Sequence, residues 1–368
     1  MTGAGWREVQ LGEICEFKYG KSLPAAEREP GPAPVYGSNG PVGTHNRFLA
    51  HGPTIVIGRK GSFGEVSYST EGCWPIDTTY YVDSSATSVD LRWLYYRLGD
   101  LGLKELNRAA AVPGLNRDDA YAKRLLLPPP EEQRRIAEVL DQVSKMRARR
   151  QQSTSLLDEL ARSVFLDMFG DPLSNPAGWK MRAISDLGTV VTGNTPPRKD
   201  IANYGDDIEW IKSDNINPAK MHVTKASEGL SSKGIKLARV TGPESILVTC
   251  IAGSPNSIGN SALTGRRVAF NQQINAFSPK EVDLLYALMH LRTGKRLIQG
   301  KSTGGMKGLV SKSSFSSIQL MVPPLSLQRE FAHKLLLLER HRIAQEDHRV
   351  KVDELFASLQ AKAFRGEL

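Results

Sequence analysis

The sequence predicts an α+β protein built as an internal repeat. Two mixed α/β segments each lead into a long helix, and the two helices pair antiparallel as a coiled coil about a pseudo-twofold axis. Three observations lead there. The stretch LLLPPPEEQRRIAEVLDQ at 125–142 returns as LMVPPLSLQREFAHKLLL at 320–337. GWREVQLGEI at 5–14 returns as GWKMRAISDLG at 178–188. Both proline-led stretches then run on as amphipathic helices too long to lie on one small core. The organisation that follows is four segments: 1–130, 131–169, 170–325 and 326–368.

The repeat is readable residue by residue. An offset of 195 sets Pro128-Pro129 on Pro323-Pro324, Gln133-Arg134 on Gln328-Arg329 and Ile136 on Phe331. It also aligns Val143 with Leu338, Asp158-Glu159-Leu160 with Asp353-Glu354-Leu355, and Phe169 with Phe364. The tryptophan-led stretches match more weakly, at an offset of 173.

The first helix opens at Pro129 or Pro130, because a first-turn proline lacks only an N–H that has no helical partner anyway. Glu131 and Glu132 complement the positive end of the helix dipole. Ile136, Val139, Leu140, Val143 and Met146 recur at three- and four-residue spacing, and Leu156, Leu157, Leu160 and Val164 resume the stripe. Gly170-Asp171-Pro172 ends it. In the second helix Ser326 is the expected N-cap. Phe331, Leu335 and Leu338 form its first apolar patch, and Val352, Leu355 and Leu359 its second. Each helix is about 38 residues, roughly 57 Å at 1.5 Å per residue. Paired antiparallel, they place the globular segments at opposite ends. The alternative is two surface helices that each pack only on their own segment.

The globular segments answer each other. TIVIGRKGSFGEVSYS at 54–69 reads as two strands around a glycine-rich turn, and SILVTCIAGSPNSIGNSAL at 245–263 repeats the idea. Helices are expected at 91–100 and 281–299, followed in each segment by a glycine-containing polar loop before the prolines.

Composition sets further bounds. The chain has 368 residues and a net charge of +9. Segment 1–130 holds fourteen basic and fourteen acidic residues, and 131–169 seven of each. Segment 170–325 holds nineteen basic against eleven acidic, and 326–368 eight against seven. Nearly all the excess therefore sits in one segment, which suits a polyanion. No run of eighteen apolar residues occurs and MTGAGWREVQLGEI does not have the basic-then-apolar order of a leader, so neither membrane span nor export is expected. Three scattered cysteines, Cys15, Cys73 and Cys250, fit a reducing cytoplasm.

Enzyme motifs fail on spacing. Gly20-Lys21-Ser22 mimics the end of a phosphate loop, but Cys15 stands where its first glycine belongs. His341 and His348 lack a third metal ligand and read as positions on a coiled-coil face. Asn194-Thr195-Pro196-Pro197-Arg198 is a poor match to an amino-methyltransferase motif, with an intervening threonine and a charge where an aromatic is needed. No catalytic residue, metal site or cofactor site is nominated.

Two long helices introduced by Pro-Pro-x-x-x-Gln, with VYGSNGPVGTHNRFL, IVIGRKGSFGEV and WPIDTTYYV in the first half and PPPEEQRRIAEVLD and PPLSLQREFA opening the helices, give a chain that resembles the DNA-specificity subunit of type I restriction–modification systems. The resemblance covers essentially the whole chain. It implies that 1–130 and 170–325 are target-recognition domains, each reading half of a bipartite duplex site, and that the helices are a spacer on which two modification (methyltransferase) subunits dock. Restriction subunits would join through that assembly. Methyl donor and ATP would belong to those partners, leaving this chain a non-catalytic reader. Two other readings stay open: a specificity subunit of another phage-defence or methylation-only complex, and a coiled-coil scaffold without DNA binding.

For reading DNA, glycine turns bring backbone amides near phosphates, and Arg, Lys, Asn and Ser at loop tips suit phosphates and base edges. The candidates are His45, Asn46, Arg47, Arg59, Lys60, Ser62, Asn116 and Arg117 in the first segment. In the second they are Arg198, Lys199, Lys212, Asn215, Asn256, Arg266, Arg267, Lys301 and Lys307.

Overall fold

A computed structural model describes residues 5–106, 114–303 and 308–368. The chain divides into two compact units, Met1–Gln151 with His348–Leu368, and Gln152–Asp347. Both long helices therefore contribute to both units.

The duplication is visible in the strand order. In the first unit Arg7–Gln10 pairs antiparallel with Arg124–Leu127, the strand that leads into the first long helix. In the second, Met181–Ala183 pairs antiparallel with Gln319–Met321, which leads into the second. Each unit then carries a four-stranded antiparallel sheet. The first runs Lys18–Tyr19, Thr79–Asp83, Thr54–Gly58, Val66–Ser69, and the second Gly188–Thr192, Ile274–Pro279, Ile246–Thr249, Ser261–Leu263. The order in the chain is the same in both. A second sheet accompanies each, of three strands in the first unit and four in the second: Ala33–Gly37 lies antiparallel to Gly40–His45 and parallel to Trp74–Pro75. Its counterpart Tyr204–Ile211 lies antiparallel to Gly229–Leu230 and parallel to Val268–Phe270.

Equivalent positions make equivalent demands. After the first strand of each four-stranded sheet stands a glycine, Gly20 or Gly193. A Cβ there would sit 2.1 Å from a carbonyl oxygen, that of Ile76 or Asn271. Only glycine allows so close a backbone approach. The Gly20 and Lys21 amides already donate to Thr79 and Pro75 carbonyls, so they form no phosphate cradle.

The helices at 91–100 and 281–299 are present as Leu91–Asp100 and Leu284–Thr293. The second is interrupted at Gly294 before Lys295–Gln299, since glycine holds helical backbone weakly. Asp90 and Asp283 cap them, their carboxylates accepting from Trp93 N at 2.8 Å and from Leu285 and Tyr286 N at 2.9 and 3.0 Å.

The long helices span Pro130–Phe169 and Leu325–Arg365. Ser326 is therefore not the N-cap. It sits inside the first turn, and the Pro324 carbonyl accepts the first amides, from Leu327 and Gln328. Gly170, at φ +84°, closes the first helix by donating to Leu166 O at 2.8 Å.

In the first unit Ile136, Ala137 and Leu140 share a core with Ala363, Phe364, Trp93 and Phe17. Arg147 pairs with Asp353 at 2.6 Å, and Arg135 donates to the Leu368 carbonyl. In the second unit Phe165 and Phe169 pack on Phe331 and Tyr286 in a ring cluster with centroids 4.8–5.7 Å apart. The helices thus run in opposite directions in each unit, the antiparallel coiled-coil arrangement the sequence predicts. The seam differs in detail. Met146, Leu156, Leu160 and Leu355 are 44–54% exposed, and Ala161, Phe165, Phe169, Ala363 and Phe364 take the buried places.

Candidate nucleic-acid interface

Each unit sets cationic side chains over aromatic rings. In the first, the turn after Thr54–Gly58 is tied to the chain following Gly114: Leu115 N donates to Arg59 O at 2.9 Å, and Lys60 bridges Gly114. This brings Arg59 and Arg117 over one ring, Tyr19, at 5.2 and 5.4 Å from its centroid. Tyr19 is 53% exposed. Arg59 is steadied by the Asp77 carbonyl at 2.6 Å and by the Tyr80 ring. Arg117 opens the short helix Arg117–Tyr121, whose cap is Asn116, accepting from Asp118 N at 2.8 Å. Lys60 and Ser62 are exposed in the turn. Five candidates therefore converge: Arg59, Lys60, Ser62, Asn116 and Arg117.

His45, Asn46 and Arg47 form a separate group at the end of Gly40–His45. His45 is buried edge-on against Trp74, and its Nδ1 accepts from Glu29 N at 3.2 Å. The Asn46 amide donates to the Glu29 carboxylate. Arg47 is exposed and makes no ion pair among the described residues.

In the second unit the Arg198 guanidinium lies 4.8 Å from the centroids of both Tyr204 and Trp210. Arg198 pairs with Glu228 at 2.9 Å, and Lys212, 5.3 Å from the Trp210 ring, grips the same carboxylate. The Lys212 ammonium and then Arg198 hold the Glu228 carboxyl below its usual range. Lys199 is exposed next to this cluster. Asn215 and Arg266 turn inward. Asn215 binds Lys212 N and the Lys225 carbonyl, and Arg266 makes a two-pronged pair with Glu209 at 2.6 and 2.7 Å. Arg267, Asn256 and Lys301 are exposed. Lys307 lies outside the described residues, as do parts of both polar loops before the prolines.

The rings Tyr19, Tyr204 and Trp210 were not among the candidates. Trp210 is legible afterwards as the aromatic two residues before Lys212. Tyr19 is forty positions from Arg59, and no local pattern connects them. A guanidinium resting on a ring is held in orientation while its edge still donates to phosphate or base oxygens.

Among the described residues no group of three or more His, Cys, Asp or Glu is placed to hold a metal ion. Burial pushes the Cys15 and Cys250 thiols up to about 12 and Cys73 to about 11, so all three are protonated and unreactive. Among the described residues no helix is long and apolar enough to cross a membrane.

A family model for the type I restriction modification DNA specificity domain matches residues 4–156 and again 176–351. The chain belongs to that family. The HindI specificity subunit of Haemophilus influenzae is 26% identical over 199 residues, 52% of this chain and 42% of that protein. The chain thus spans under half the length of that relative. The EcoDI specificity subunit of Escherichia coli is 20% identical over 396 residues, covering 99% of this chain and 88% of that one. The S subunit of a type I restriction–modification system from M. genitalium has the same fold, with a TM-score of 0.59 at 14% identity over 98% of this chain and 96% of that one.

Proposed function

We propose that this chain is the DNA-reading, non-catalytic specificity subunit of a type I restriction–modification complex. Segments 1–130 and 170–325 act as target-recognition domains, each taking one half of a bipartite duplex site. Segments 131–169 and 326–368 are the helical spacer and the platform for two modification subunits, through which restriction subunits join. One observation carries this reading: a chain of the specificity-domain family repeats one strand order, one glycine approach and one helix lead-in twice. A reader duplicated in this way suits a target in two parts.

Two surface features support it. The ring-mounted arginines, Arg59 and Arg117 on Tyr19 and Arg198 on Trp210, are suited to base edges and phosphates, with Lys60, Ser62, Asn116, Lys199 and Arg267 beside them or exposed nearby. Along the long helices Met146, Leu156, Leu160, Leu336, Leu337, Ile343, Val350 and Leu355 stand 42–54% exposed. Such rows of apolar side chains on polar helices suit the helices of partner subunits.

Segment 1–130 is electrically neutral, so the isolated chain is expected to bind duplex DNA weakly and the complex with modification subunits much more tightly. A mobility-shift titration with and without those subunits decides this. Equally tight, sequence-specific binding by the chain alone contradicts it.

A further inference from the structure

The repeated glutamine of the Pro-Pro-x-x-x-Gln element has a definite place. Gln133 is buried, and both ends of its amide are engaged: Oε1 accepts from Asp90 N at 2.8 Å and Nε2 donates to Pro128 O at 2.9 Å. Gln328 repeats this, accepting from Asp283 N at 2.9 Å and donating to Pro323 O at 2.8 Å. Asp90 and Asp283 are the caps of the short core helices Leu91–Asp100 and Leu284–Thr293. One side chain therefore joins three things in each unit: the cap of a core helix, the proline lead-in and the first turn of the long helix.

We infer that Gln133 and Gln328 are positioning residues that fix the angle at which each long helix leaves its recognition domain, and so set how strictly the gap between half-sites is measured. The inference rests on the proposed function. The leverage is large. A tilt of about 5° at the start of a helix about 60 Å long moves its far end by about 5 Å, more than one base-pair step of about 3.4 Å. An apolar contact tolerates such a tilt with small loss. Two opposed hydrogen bonds to separate backbone groups do not, because each is directional. The apolar contacts recur in both halves: Trp93 shares a core with Ile136 and Phe364, and Tyr286 with Phe331 and Phe169. The first half adds a polar contact, Tyr96 Oη and Arg92 on Asp141 at 2.6 and 2.5 Å. The glutamine joint is a polar link that both halves have in common.

The test uses the chain assembled with its modification subunits and a set of duplexes with identical half-sites and gaps one base pair shorter than, equal to and one longer than the native gap. Wild type is expected to methylate the altered gaps at least about tenfold more slowly, a loss on the scale of one mismatched base pair in the site. Gln133→Leu, Gln328→Leu and the shorter-armed Gln133→Asn are each expected to shrink that ratio severalfold. Leu140→Ala, which empties a buried site in the same core without touching the joint, should lower Tm yet leave the ratio as in wild type. Glutamine variants that slow all three gaps in the same proportion, as a merely destabilising change does, overturn the inference. Wild type that methylates no bipartite duplex would instead overturn the function on which it rests.

Discussion

At the scale of single residues, Arg59 and Arg117 lean on one exposed ring from a turn and a helix start far apart in sequence. Removing Arg117 with Arg117→Gln leaves the cap at Asn116 in place, so the fold should hold while a contact is lost. In the assembled complex the affinity for duplex DNA should drop about 5–150-fold, the range of about 1–3 kcal/mol for one base contact, with base preference relaxed in one half-site only. Should Arg117 contact phosphate instead, the loss would be uniform across sequences and the salt slope would fall by about one. Binding unchanged in both affinity and salt slope contradicts a role at the interface.

A second residue gives a pH signature. His290 is fully buried, its Nε2 accepting from Met321 N at 3.1 Å, and burial lowers its pKa from 6.5 to about 3. Above pH 6.5 both folded and unfolded states hold it neutral, and it has no effect on stability. As pH falls from 6.5 toward 3, the unfolded chain takes up a proton that the folded one refuses, and stability is lost at about 1.4 kcal/mol per pH unit. Thermal unfolding between pH 7 and 5 should therefore fall more steeply for wild type than for His290→Gln. Equal slopes would contradict it.

At the scale of elements, the long helices show what was legible and what was not. Their number and approximate ends follow from prolines, Gly170 and apolar spacing, and their antiparallel pairing from the internal repeat. Their seam does not, because Leu156, Leu160 and Leu355 fit a heptad as well as the buried residues do, and only the partner surface decides which side is covered. Phe331 belongs to the apolar patch the spacing predicts and is buried, whereas Phe165, next to Val164 in the expected stripe, is the residue that packs on it in the ring cluster. Phe165→Ala should cost about 3–5 kcal/mol in chemical denaturation. A cost under about 1 kcal/mol would show the cluster to be loosely packed. The same lesson applies at the candidate site. Polar residues at loop tips are readable as types, but whether they face outward is set by tertiary partners. Asn215 and Arg266 turn inward because Lys225 and Glu209 are there to receive them, while Arg198 and Lys199 stay outside. Aromatic mounts such as Tyr19 come from strands remote in sequence, beyond the reach of any local pattern.

The helices also carry a length. In the proposed function they set the gap between half-sites, so adding one heptad to each, within 150–155 and 343–350, should lengthen that gap by about three base pairs, from about 10 Å of helix against about 3.4 Å per base-pair step. Half-sites should be unchanged. A gap that stays the same while methylation persists would reject the helices as a ruler.

At the scale of the whole molecule, the charge is unevenly shared. Nearly all of the net +9 sits in segment 170–325, while the strand order is the same in both halves. Similar folds with different surfaces are what two readers of different sequences require, since sequence discrimination comes from side chains presented at the grooves. The most direct measurement is base-resolution methylation mapping of DNA modified by the assembled complex, with wild type, Arg117→Gln and Arg198→Gln compared. An interrupted motif in two parts is expected, with Arg117→Gln loosening one part and Arg198→Gln only the other. A single uninterrupted motif, or two parts that loosen together under either substitution, would contradict it.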